Sequence, residues 1–92
     1  MLTPAERETV LRIAHAHGAE RVRVFGSVAR GNAGAGSDLD LLVDMGPGTS
    51  LLNIIAIKQD LEELLGRKVD VLTESAISRY FRDAVLREAV PL

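Results

Sequence analysis

Gly26–Val43 reads GSVARGNAGAGSDLDLLV, and its two halves ask for different things. Gly26-Ser27 ends an alternating apolar run and marks a turn, and Gly31 to Gly36 is a loop rich in glycine and alanine. Ser37 to Val43 then alternates as a strand, with Leu39, Leu41 and Val43 on one face and Asp38, Asp40 and Leu42 on the other. Strands that serve only packing seldom put two carboxylates side by side on one face. The chemistry of the chain is expected here.

Outward from this stretch the elements alternate. Upstream, Thr3-Pro4-Ala5-Glu6 is a capping box with proline at the first helical position. Val10, Leu11, Ile13 and Ala14 follow as an apolar stripe that Gly18 stops. Glu20 to Phe25 is a half-buried strand, with Val22 and Val24 on one face, and Ser27 is expected to cap a short helical turn through Val28-Ala29-Arg30. Downstream, Met45 to Thr49 breaks the chain, and Ser50 caps a helix carrying Leu51, Ile54, Ile55, Ile57, Leu61, Leu64 and Leu65, closed by Gly66. Lys68 to Leu72 is a third strand whose Val69 and Val71 face away from Asp70. Ser75 is expected to open a last helix with Ile77, Tyr80, Phe81, Ala84, Val85 and Leu86, closed by Pro91. His15 and His17 stand two apart, hence on different helix faces, and read as solvated or half-buried residues.

This order predicts an α/β (α+β) fold: a small mixed sheet of three to four strands backed by helices, in one domain over residues 1–92. The long helix between the second and third strands makes those two parallel, through a right-handed crossover.

Composition narrows the functions. A net charge of −2 argues against a protein that coats nucleic-acid phosphates, and 3% aromatics against base-stacking platforms. No direct nucleic-acid binding is expected. No stretch is long enough to span a membrane, and MLTPAERETV lacks a basic-then-apolar leader, so a cytoplasmic protein is expected. The absence of cysteine removes thiolate metal sites and disulfides.

Asp38 and Asp40, two apart on a strand, send carboxylates from one face about 6.6 Å apart along the chain. Such arms can converge on divalent cations about 3.5–4 Å from one another. If the third strand lies beside the second, at about 4.8 Å, Asp70 joins them. No lysine or arginine is obviously placed by sequence to neutralise the three, so a hard cation, Mg²⁺ or Mn²⁺, is expected. Gly26-Ser27 opens a helical turn whose N–H groups and hydroxyl face an anion, and Arg30, one turn on, can reach a phosphate or hold the loop. An anion site beside carboxylates for two metals describes a nucleoside triphosphate with its cations.

Simpler patterns fail. The glycine loop lacks a P-loop lysine, and a strand, not a helix, follows Gly34-Ala35-Gly36. Asp38, Asp40, Asp44 and Gly46 do not make a calcium loop, because Thr49 stands where a bidentate acid is needed. Asp44 is expected to be a solvated strand end.

Gly26-Ser27-x-Ala29-Arg30-Gly31, then Ser37-Asp38-x-Asp40-Leu41, then Val69-Asp70-Val71-Leu72, resembles the minimal nucleotidyltransferases of the DNA polymerase beta superfamily, the MntA-type antitoxins. The likeness covers nearly the whole chain, to Arg87-Glu88-Ala89-Val90. It implies that Gly26 and Ser27 hold the triphosphate, that Asp38 and Asp40 bind both Mg²⁺ ions, and that Asp70 binds the catalytic ion and helps activate the incoming hydroxyl. Arg30 transfers less securely. It also implies ATP as substrate and, as partner in a hetero-oligomer, a helical HEPN toxin silenced by AMP added to a tyrosine. The chain has little room for an acceptor pocket of its own, which also points to a protein acceptor. The last helix is expected to pack on the sheet with one side and meet the partner with the other.

Two other readings compete. A non-catalytic module could neutralise its partner by complex formation alone, but such a module has no need of three mutually repelling carboxylates. Transfer to a small molecule is disfavoured by the chain's size.

Overall fold

The structure, a computed structural model, describes residues 2–31 and 38–92. The expected loop from Gly31 to Gly36 and the strand start at Ser37 fall mostly on residues 32–37, outside the described residues. Helix α1 spans Pro4–Ala16, β1 Ala19–Phe25, α2 Gly26–Arg30, β2 Leu39–Met45, α3 Leu51–Leu65, β3 Val69–Leu72, α4 Arg79–Glu88 and β4 Val90–Pro91. The sheet runs β3-β2-β1-β4. Its β2–β3 pair is parallel, as the intervening helix requires, while β1 is antiparallel to β2 and to β4.

The helix starts follow from their caps. The Thr3 hydroxyl accepts the Glu6 N–H at 3.1 Å, and Glu6 accepts the Thr3 N–H at 3.0 Å. Ser50 accepts the Leu52 N–H at 3.2 Å, and Asn53 accepts the Ser50 N–H at 2.9 Å. Gly66 ends α3 at φ +65°, a left-handed cap that glycine adopts without strain. His17 ties the end of α1 to α3 through Asp60, 2.7 Å from its Nε2, while the His15 ring pairs with the Ala19 carbonyl at 2.9 Å. Both histidines are structural.

One face of the sheet, Val22, Val24, Leu39, Leu41, Val43 and Val69, shares the core with Val10 and Ala14 of α1 and Ile57 and Leu61 of α3. Leu42 points from the opposite face and is fully buried. On that face Arg23 lies 3.8 Å from Asp44 and 3.6 Å from Glu74. Asp44 also pairs with Arg21 at 2.7 Å, so it is an ion-paired strand residue, not the solvated end expected.

Three further expectations are corrected. Of the apolar positions of α3 only Ile57 and Leu61 are buried, whereas Leu51 is 68% and Leu64 56% exposed. At 3.6 residues per turn Ile55 lies roughly 140° from the Ile57–Leu61 line, and the narrow sheet covers no more of the helix. The last helix does not open at Ser75: a 3-10 turn, Glu74–Ala76, comes first, and Ser78 caps α4 by accepting the Tyr80 N–H. Ile77, just before α4, is buried, but no residue of α4 is. Finally, Val90 leaves the helix. Pro91 biases its predecessor toward extended backbone, and Val90–Pro91 pairs with β1 as an edge strand, where proline is tolerated.

Leu61→Ala should cost about 2–5 kcal/mol in denaturant unfolding, as for a fully buried leucine, and Leu64→Ala less than about 1 kcal/mol.

Candidate functional site

The register of the parallel pair decides the site. Leu39 faces Val69 and Asp40 faces Asp70, so the two carboxylates leave neighbouring strands side by side. Asp38 immediately precedes β2 and is exposed. Phe25 pairs with Asp40 across β1–β2, which brings Gly26, the next residue, over the same carboxylate. Gly26 has φ +73°, and a Cβ built there would overlap Asp40 Oδ2 and lie 3.1 Å from Asp40 Cγ. Glycine is therefore needed twice over, for the backbone angle and for the approach.

The electrostatics match this crowding. The Asp40 carboxyl is pushed above the usual carboxylate range, first by burial, then by the charges of Asp70 and Asp38 and a side-chain hydrogen bond with Asp70; Arg30 opposes the rise. Two cations that the sequence did not single out as counter-charges stand near. Lys58 Nζ is 3.9 Å from Asp70 Oδ1. Arg30 Nη1 is 2.5 Å from Glu88 Oε1, which ties α2 to α4. Its partner Glu88 lies on α4, outside both roles expected for Arg30. The signal for Lys58 was its i,i+4 spacing to Glu62, an ion pair at 3.0 Å. Glu62 is held below the usual range by the Val69 N–H and by Lys58.

Ser27 lies inside the first turn of α2, whose cap position is Phe25 without a capping side chain. The expectation that Ser27 itself caps the turn is thus corrected: with Gly26 at positive φ, the helix starts two residues earlier, at Gly26. Gly26, the first residue of α2, sits against the Asp40 carboxylate, and Ser27 follows it in the same turn. Among the described residues no three His, Cys, Asp or Glu form a complete metal cage. Asp40 and Asp70 converge, and Asp38 acts on Asp40 through its charge. The donors are all carboxylate oxygens carrying excess negative charge, which fits a hard divalent cation.

The mixed sheet thus carries paired aspartates near the starts of two parallel strands, with a glycine turn against them. The chain belongs to the nucleotidyltransferase domain family, whose model matches residues 7–92. It is 43% identical over 84 residues to a candidate protein adenylyltransferase of Methanocaldococcus jannaschii, covering 91% of this chain and 90% of that protein. To protein adenylyltransferase MntA of Thermococcus cleftensis it is 39% identical over 95 residues, covering 98% and 96%. The solved structure of a candidate minimal nucleotidyltransferase superposes with a TM-score of 0.83 at 53% identity, covering 96% of this chain and 90% of that one. A chain of the complex between tri-AMPylated Shewanella oneidensis HEPN toxin and its MNT antitoxin superposes at 0.71 with 15% identity, covering 95% and 68%, and shares the fold. Among the described residues no helix is long and apolar enough to cross a membrane.

Gly26→Ala should displace the Asp40 carboxylate and destabilise the protein by about 1 kcal/mol or more from the left-handed angle alone, read by denaturant unfolding. The raised Asp40 carboxyl also fixes a sign. Folding favours its protonated form, so its contribution to stability is present at acid pH and lost as pH rises through the raised value. With a chelator present, Asp40→Asn should melt above the wild type at neutral pH, and the difference should close as pH falls toward about 4.

Proposed function

We infer that this nucleotidyltransferase is a protein adenylyltransferase that moves AMP from ATP to a hydroxyl, a tyrosine's, on a partner HEPN toxin and so acts as its antitoxin. The observation that carries the reading is the Asp40–Asp70 register with Gly26 closed against it, which supports cation-binding carboxylates next to a phosphate-binding turn. Similarity to adenylyltransferases over nearly the full chain supports AMP as the group moved. The fold shared with an antitoxin bound to an AMPylated HEPN toxin supports the partner. On this reading residues 1–92 act as a single catalytic domain in the cytoplasm.

Asp38 and Asp40 would hold two Mg²⁺ ions, or Mn²⁺, and Asp70 would hold one of them. When bound, these ions supply Lewis acidity that lowers the acceptor hydroxyl's pKa and neutralises the leaving phosphates. Gly26 and Ser27 bind the triphosphate with N–H groups and the Ser27 hydroxyl. Asp70 takes the proton of the acceptor hydroxyl as its oxygen bonds to the α-phosphorus of ATP. The bond from that phosphorus to the bridging oxygen breaks, and pyrophosphate leaves. Arg30, paired with Glu88, keeps the α2 turn seated against α4. Positioning and fixed charge carry most of the rate. Tyr80 and Phe81, 83% and 66% exposed on α4, give apolar surface for the partner, which would be held as a hetero-oligomer.

Incubation with Mg²⁺, α-labelled ATP and a HEPN partner should place label on the partner. A tight complex without label would favour inhibition by occlusion. Asp38 is exposed, so Asp38→Asn should keep its melting temperature while transfer falls by about 10²-fold or more, the loss of one pre-organised electrostatic partner. Full residual activity would remove Asp38 from the site.

A further inference from the structure

The sheet ends at β3, and an edge strand leaves alternate N–H and C=O groups without a strand partner. The Leu39 N–H bonds the Lys68 carbonyl at 2.9 Å, so Lys68 turns toward β2 and the next residue, Val69, turns its polar groups outward. Both outward groups are taken by one ion pair on α3. Glu62 Oε2 accepts the Val69 N–H at 3.0 Å, and Lys58 Nζ donates to the Val69 carbonyl at 2.7 Å. Lys58 Nζ also donates to the same Glu62 oxygen at 3.0 Å. The backbone immediately before Asp70 is thereby gripped at both of its outward groups, and the grip reaches Asp70 itself, with Lys58 Nζ 3.9 Å from Asp70 Oδ1.

The geometry points to Lys58 and Glu62 as positioning residues that fix the Val69 peptide so that the Asp70 carboxylate is presented beside Asp40. Both side chains keep partial solvent access, so as an isolated ion pair they contribute little. Their effect comes from what they hold. Asp70 sits next to a like charge as the second residue of a four-residue strand, where an ungripped backbone would let the carboxylate swing away from Asp40. Outer groups that orient a metal's ligands are commonly worth about ten- to a hundredfold in metal affinity or activity.

This inference rests on the carboxylates' binding divalent cations, and it is tested without partner or nucleotide by Mn²⁺ binding, followed through the electron paramagnetic resonance of free Mn²⁺. Lys58→Met removes a positive charge and Glu62→Ala a negative one. Acting through charge alone, the first would tighten Mn²⁺ binding and the second weaken it. Acting through position, both weaken it, by about tenfold or more, and Lys58→Arg restores most of the loss. Opposite shifts in the two variants would overturn the inference. So would unchanged affinity with a lowered melting temperature, which marks a cap on a sheet edge and nothing more. Should Lys58→Met fail to fold, Lys58→Gln, uncharged and shorter, decides the same way, since weakened binding supports the inference and tightened or unchanged binding overturns it. A wild type that binds no Mn²⁺ overturns the cation site and this inference together, whereas wild-type binding with unaltered variants overturns this inference alone.

Discussion

Like charges at adjacent positions of a parallel strand pair repel, and this protein builds that repulsion into its sheet where Asp40 faces Asp70. The cost appears in the Asp40 carboxyl, pushed up by burial and by its acidic neighbours. A chain selected for stability alone would place a valine or threonine at either position. The surrounding structure holds the repelling pair in place. Leu39, Leu41, Val43 and Val69 lock β2 and β3 to the core, so the register cannot slip to part the acids without turning buried side chains outward.

Several other features follow from this constraint. Gly26 has no side chain because the Asp40 carboxylate occupies that space, and the same residue turns β1 into α2. The glycine turn and the paired acids are therefore one structural unit. Arg30 leaves that unit to pair with Glu88, and the two form a strap from the turn to α4. Lys58 and Glu62 grip β3 on its open side. Two ion pairs thus brace the site, Arg30–Glu88 at the α2 turn and Lys58–Glu62 at β3.

The sequence made local features and their order legible. Capping at Thr3 and Ser50, the glycine at 66 and the alternation of β2 are written in near neighbours, and the acids at 38, 40 and 70 stood out because they interrupt otherwise apolar strands. What depends on distant neighbours was not legible. Leu51 and Leu64 look like core residues on a helical wheel, yet the width of a four-stranded sheet decides that they are not. The pairing of Val90–Pro91 with β1, and of Arg30 with Glu88 58 residues away, requires the tertiary fold. Lys58 lay between the two: its partner Glu62 was readable at four residues, but its reach to Val69 and Asp70 was not.

The central claim is that Asp40 and Asp70, with Asp38, hold divalent cations against a triphosphate seated on Gly26 and Ser27. Anomalous diffraction at the manganese edge, from crystals soaked with Mn²⁺ and an ATP analogue uncleavable between the α- and β-phosphates, tests it most directly. The account predicts manganese peaks bridging the Asp40 and Asp70 carboxylates and the analogue's phosphates. An ordered analogue with manganese bound elsewhere, or phosphates lying away from Gly26 and Ser27, would contradict it.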